Sequence, residues 1–418
     1  MRDELVATYE IEAHVDLERA AEVLAGEQSS GTFTRVELET DDLKRKHGAT
    51  VRSLTELERP DGPPLLGSWR LPGAAAIPRR ARVEVAFPVQ NFGPSLAAML
   101  TTIAGNLFEL RELAAVRLVD FEVPGAFGER YPGPRFGVEG TRDLMGGREG
   151  VLVGTIVKPS VGLGLDDLRA VVRRLAEAGI DFIKDDELIA DPPYAPLDRR
   201  VPVVMEEIER AAQRTGARTM YAFNVTGDLY DMLRHEELVA RAGGTCVMVA
   251  VPVVGLGALE FLRRRASVAI HGHRALFGAL GRSPQLGIAF AAYQKAARLA
   301  GADHLHVGGL DSKFWEPNES VLASIAALRA PLPGGPPALS VLSSAQWAGT
   351  APQTWAGAGT TDLLVLAGGG IHGHPGGAAA GVESMREAWS AAVAGEPLEA
   401  RAARNDALRA ALDTFGAS

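Results

Sequence analysis

From about residue 150 onward the chain repeats one unit: a short apolar run, a turn, an amphipathic stretch, then another apolar run. The apolar runs fall at 151–157, 180–183, 218–223, 246–251, 267–270, 303–306, 338–342 and 362–367. Each is too short for a core helix, and each is apolar on successive residues, as expected of a strand buried on both faces. The stretches at 165–178, 202–214, 236–242, 285–299 and 320–329 carry helical spacing. In the first of them Leu168, Val171, Val172 and Leu175 share one face. Eight buried strands alternating with helices predict a closed (β/α)₈ TIM barrel. An open doubly wound sheet also fits the alternation, but it does not demand eight strands.

The first ~125 residues follow a different pattern and predict a smaller α+β domain, a ferredoxin-like sandwich of helices on one sheet. Strands are expected at 5–11, 32–38, 80–89 and 116–123, and helices at 17–24 and 94–110. The Pro/Gly-rich stretch 59–79 reads as a long surface loop. A second Pro/Gly cluster at 124–137 is the expected boundary, giving an N-terminal domain 1–125 and a barrel domain 126–418.

Composition narrows the setting more than the chemistry. A lone cysteine, Cys246, excludes an internal disulfide and suits a reducing cytoplasm. A formal charge of -9 argues against nonspecific nucleic-acid binding. No signal peptide and no membrane span is expected, because no basic head precedes an apolar core and no apolar run reaches about 18 residues.

A barrel places its chemistry on the loops after the strands. Polar residues gather there: Lys158 after the first run, Lys184-Asp185-Asp186-Glu187 after the second, and Asn224 after the third. His271, His273 and Arg274 follow the fifth run, and His304 and His306 end the sixth. Ser343 and Ser344 follow the seventh, and Gly368-Gly369-Gly370 the eighth, with His372 and His374 just beyond. Four successive charges would ordinarily make a solvated turn. At a barrel mouth, two of the carboxylates become hard oxygen ligands suited to Mg²⁺. A lysine desolvated beside them loses its proton more readily, and its free amine can take up CO₂ as a carbamate, a third anionic ligand. His-x-His pairs are also common zinc ligands, but no cysteine lies near these. The glycines at the eighth run would let backbone N–H groups approach an anion closely.

The stretch Gly179-Ile180-Asp181-Phe182-Ile183-Lys184-Asp185-Asp186-Glu187 resembles the signature of the ribulose-bisphosphate carboxylase (RuBisCO) large subunit. Residues 26–33, Gly-Glu-Gln-Ser-Ser-Gly-Thr-Phe, resemble an N-terminal segment of the same family. The resemblance implies that Lys184 is carbamylated and that Lys184, Asp186 and Glu187 bind Mg²⁺. It implies that Lys158 assists proton transfer during enolisation, and that His273 lies at the reacting centre. Arg274, His306, Ser343, Gly368 and Gly369 would bind the substrate and its phosphate. Lys313 would be the mobile-loop lysine that holds CO₂ or a nascent carboxylate. Glu27, Thr32 and Asn106 would reach the active site of a partner subunit, which implies a homodimer with shared sites and no small subunit.

The pattern also departs from a true carboxylase. Ser160 stands where that enzyme has a second lysine, Phe277 where it has a histidine, and Phe33 where it has a tryptophan. Ser344-Ala345 replace a phosphate-binding glycine pair. The expectation is therefore a RuBisCO-like lyase or isomerase that enolises a phosphorylated keto-sugar or sugar acid. Decarboxylation or carboxyl transfer would follow, on a substrate such as 3-oxo-isoapionate 4-phosphate. The alternatives are a methionine-salvage enolase or isomerase acting on a methylthio-pentose phosphate, ribulose-bisphosphate carboxylation, and a non-catalytic binding relative.

Overall fold

The computed structural model describes residues 3–31, 36–58, 65, 70 and 77–416. They form two compact units, Met1–Pro132 with Leu276–Ala296 and Leu332–Gly335, and Gly133–Ala275 with Ala297–Pro331 and Pro336–Ser418.

The first unit is built on a five-stranded mixed sheet, in the order Gly287–Ile288, Ala115–Phe121, Glu4–Ala13, Arg79–Pro88, Thr50–Leu57. The central strand buries Leu5, Ala7, Tyr9 and Ile11 on one face, which is the period-2 pattern of a half-buried strand. Helix Leu17–Glu27 covers that face with Leu17, Ala20, Ala21 and Leu24, and Asp16 caps it by accepting from the Arg19 N–H at 3.2 Å. The Tyr9 hydroxyl donates to the Ile103 carbonyl at 2.7 Å, so the phenol is satisfied where it is buried.

The structure differs from the sequence reading of this unit at three places. Of the strand expected at 32–38, residues 32–35 lie outside the described residues and 36–38 form no strand. The strand Thr50–Leu57 was not foreseen, because as an edge strand it buries none of its residues and so lacks an apolar face. The helix expected at 285–299 starts only at Phe290. Gly287 and Ile288 instead pair in parallel with Arg117 and Leu118. Gly287 has φ of +104°, and a Cβ there would collide with the Leu280 carbonyl oxygen.

The second unit is a closed barrel of eight parallel strands, as the periodicity required. They are Leu152–Ile156, Phe182–Lys184, Met220–Asn224, Cys246–Ala250, Ala269–His273, His304–Gly308, Leu339–Leu342 and Leu363–Leu366. Leu152, Phe182, Met220, Ala222, Cys246, Met248, Leu339, Val341, Leu364 and Leu366 fill the interior, with Val138 and Met145 from the segment before the first strand. Gly154 lets neighbouring strands close together, since a Cβ there would lie 2.7 Å from Leu366 Cδ2. Buried Asp303 ties the floor. Its carboxylate accepts from the N–H groups of Phe136 (2.6 Å), Gly137 (3.1 Å) and Ile270 (2.8 Å) and from Arg263 (3.0 Å). Among the described residues no helix is long and apolar enough to cross a membrane.

Candidate active site at the carboxyl ends of the barrel strands

The second strand is only three residues long and delivers Lys184 to the interior, where its side chain is 1% exposed. Burial pushes the Lys184 ammonium below its ordinary value, against the opposing pull of Glu187 and Asp186. Its Nζ donates to the Asp185 carbonyl at 2.7 Å and lies 3.4 Å from Glu187 Oε2. Lys158, from the end of the first strand, donates to Asp186 Oδ2 at 2.8 Å and to Ser160 Oγ at 2.7 Å. Burial alone would raise the Asp186 carboxyl, but hydrogen bonds from Lys158 and Ser160 hold it below the usual range. Two ammonium groups thus face two carboxylates.

Asp185 has a different task. It is buried and accepts from Tyr221 Oη at 2.6 Å, from the Asn224 N–H at 2.9 Å and from Arg200 at 3.2 Å. It therefore fixes the second strand to the third and to helix Leu197–Thr215. The Asn224 amide donates to the Asp186 and Glu187 carbonyls, both at 3.2 Å, and so orients the acidic turn from behind. Arg200 gave no sequence signal, because an arginine in an amphipathic helix reads as solvent-facing.

On the opposite side, His273 Nε2 lies 3.6 Å from Glu187 Oε2. Burial, reinforced by the charge on Lys184, lowers the His273 ring to about 4, so it is neutral at pH 7. Its Nδ1 accepts from the Ala275 N–H at 3.1 Å, which leaves the proton on Nε2, toward Glu187. Arg274 pairs with buried Glu316, whose other oxygen accepts from Ser320 at 2.7 Å. Glu316 was not anticipated. His306 Nδ1 lies 3.1 Å from Ser343 Oγ. Gly368 adjoins Lys158, where an added Cβ would lie 3.8 Å from Lys158 Cε, while Gly369 faces open space.

Other expected site residues are not gathered here. Lys313 is exposed, with its ammonium 5.4 Å from the Phe314 ring centre, and makes no contact with the acidic turn. Glu27 and Asn106 are exposed on the first unit. With its amide oriented to satisfy its neighbours, Gln28 accepts from the Asn106 and Leu107 N–H groups at 3.0 and 2.8 Å, linking the two positions. Thr32 lies outside the described residues.

A divalent cation suits the donor chemistry with one condition. Among the described residues no three His, Cys, Asp or Glu side chains group as metal ligands. Asp186 and Glu187 supply two hard anionic ligands, so a third would have to come from Lys184 as an anion.

Models of the RuBisCO large-chain N-terminal and catalytic domains match residues 1–127 and 137–415. The chain belongs to the RuBisCO large-chain family. It is 48% identical to a 3-oxo-isoapionate-4-phosphate transcarboxylase/hydrolase of Xanthobacter autotrophicus over 99% of both chains. It is 40% identical to a 3-oxo-isoapionate-4-phosphate decarboxylase of Rhizobium etli over 98% of both. Among solved structures, a RuBisCO-like protein from Burkholderia fungorum superposes with a TM-score of 0.92 at 42% identity, covering 99% of this chain and 100% of that one. Family membership in general implies Mg²⁺ and a carbamylated lysine.

The segment after the seventh strand holds two left-handed residues that are not glycine. Ser344 (φ 73°) and Ala345 (φ 53°) stand at the positions where the carboxylase resemblance has a phosphate-binding glycine pair. Left-handed backbone without glycine costs roughly 1–2 kcal/mol per residue. Ala345→Gly is therefore expected to stabilise the protein by about 0.5–1 kcal/mol, the relieved strain exceeding the entropy that glycine adds to the unfolded chain. Urea denaturation measures it; a loss of stability would show that the conformation is unstrained.

Proposed function

We propose that this chain cleaves a carbon–carbon bond, by decarboxylation or carboxyl transfer, in a 3-oxo sugar-acid phosphate such as 3-oxo-isoapionate 4-phosphate. The observation that carries the reading is the joining of Lys158, Lys184, Asp186 and Glu187 in one cluster. They do so in a chain 48% identical, end to end, to an enzyme named for that substrate.

The desolvated Lys184 amine is suited to attack CO₂, giving a carbamate and releasing a proton. Asp186, Glu187 and that carbamate would hold Mg²⁺, which supplies Lewis-acid stabilisation of negative charge on the ketone oxygen. Lys158 Nζ donates to Asp186 and Ser160, beside the carboxylates that would hold the metal. When the carboxyl leaves, the bonding pair passes toward the ketone to give an enediolate, and Lys158 is placed to return a proton to carbon. Neutral His273, with its proton on Nε2, is a hydrogen-bond donor to oxygen rather than a fixed charge. Arg274, held by Glu316, and the backbone at Gly368 and Gly369 would receive the phosphate. Exposed Lys313 reaches the carboxylate only if its loop folds inward. The active form is a homodimer with sites completed by Glu27, Thr32 and Asn106 of the partner subunit, acting in the cytoplasm without a small subunit.

The test is product analysis. A 3-oxo sugar-acid phosphate labelled with ¹³C at the carboxyl group, given with Mg²⁺ and bicarbonate, should either lose the label, leaving a ketose phosphate, or carry it on a different carbon. A product that keeps the labelled carboxyl on its original carbon overturns the reading in favour of enolisation and isomerisation alone.

A further inference from the structure

A row of buried histidines runs through the barrel interior to Ser343. His271 and His304 are directly paired in register on the fifth and sixth strands. Thr141, His271 and His304 are 0% exposed and His306 is 2% exposed. The contacts are continuous: Thr141 Oγ1 to His304 Nε2 at 2.8 Å, His304 Nδ1 to His271 Nδ1 at 3.3 Å, His271 Nε2 to His306 Nε2 at 2.7 Å, and His306 Nδ1 to Ser343 Oγ at 3.1 Å.

Each contact needs one proton, and one end of the row is fixed. The Thr141 hydroxyl donates to the Gly137 carbonyl, which has no proton to give in return. Thr141 Oγ1 must therefore accept from His304, so His304 carries its proton on Nε2. Burial lowers all three rings, His304 to about 4, so each is neutral with a single ring proton. Bare His304 Nδ1 then requires the proton of His271 on Nδ1. Bare His271 Nε2 requires the proton of His306 on Nε2. Bare His306 Nδ1 must accept the Ser343 hydroxyl proton.

We propose that Thr141 is a positioning residue that sets the proton order of the His304–His271–His306 row and so makes Ser343 a pure hydrogen-bond acceptor toward the substrate. Ser343 has committed its one proton to His306. It suits a substrate hydroxyl and disfavours a phosphate or carboxylate oxygen. The consequence for substrate rests on the function proposed above; the proton order does not.

Histidine-selective ¹⁵N–¹H correlation spectra of the full-length protein at pH 7.5, without substrate, read the tautomers directly. Single His→Gln variants provide the assignments. The expected result is protonation on Nε2 in His304 and His306 but on Nδ1 in His271, the less common tautomer of free imidazole. Nε2 protonation of His271, or an imidazolium at any of the three, overturns the proposal. Thr141→Val should scramble this order and lower kcat/KM about tenfold, the scale of one misdirected hydrogen bond. Thr141→Ser should restore both. A Thr141→Val protein that keeps wild-type tautomers also overturns the proposal. Should that variant fail to fold, the wild-type spectrum alone decides. Loss of the proposed reaction with the expected tautomers intact would count against the function only.

Discussion

Lys184→Ala is expected to abolish Mg²⁺-dependent exchange of the proton at the carbon next to the substrate ketone. Two effects act together. The variant removes the amine that would become the third anionic ligand, and two carboxylates alone hold Mg²⁺ weakly. The charge that develops on the ketone oxygen then loses its main stabiliser, which is worth roughly 10²–10³ in rate for a single donor and more for a metal. A loss of at least about 10³-fold in deuterium uptake is expected. Folding should survive, because Lys184 is desolvated and its removal relieves a buried charge. Unchanged exchange in a folded variant would refute the assignment of this cluster as the reacting centre.

The second large effect concerns pH. His271, His304 and His306 are neutral when folded, their rings lowered by burial from an ordinary value of 6.5, His304 to about 4. In the unfolded chain they titrate near 6.5. As pH falls through that value, the unfolded state binds protons that the folded state refuses, so stability is lost in the window from about 6.5 down toward 4. By pH 5 the His304 ring alone costs about 2 kcal/mol, and His271 and His306 act in the same direction. That is already a sizeable part of the whole stability of a typical domain, about 5–15 kcal/mol. Most carboxylates titrate below this window and do not mask the effect. Thermal melts at pH 7.5 and pH 5 should differ by many degrees, and His304→Gln should shrink the difference. Equal melting temperatures at the two pH values would mean that the rings are already charged or reach solvent.

The barrel was legible because its strands are buried on both faces, so their sequence is apolar without interruption. The edge strand Thr50–Leu57 was illegible for the opposite reason: it buries nothing, and its pairing is a backbone property. The start of the helix at Phe290 escaped notice because the decision is made by Gly287 and its strand partner more than 150 residues earlier in the chain. At the candidate site, Lys158, Lys184, Asp186, Glu187 and His273 stood out as polar residues at strand ends, and the structure brings them together. Asp185 shares the same motif, yet it faces Arg200 and Tyr221 and serves the scaffold. Only tertiary contacts separate that role from those of its neighbours. His271 and His304 stood among the same strand-end residues, and nothing in the sequence pairs them. Their shared register and the Thr141 anchor turn them into an ordered row.

Ser344 and Ala345 carry a consequence for redesign. Both hold left-handed backbone, which glycine adopts without strain. A Gly-Gly pair is therefore compatible with the turn as it stands, and the exchange would remove the Ser344 side chain, the Ala345 methyl and the strain together. A change of substrate range after that exchange would then trace to the atoms removed, since the turn itself need not be rebuilt.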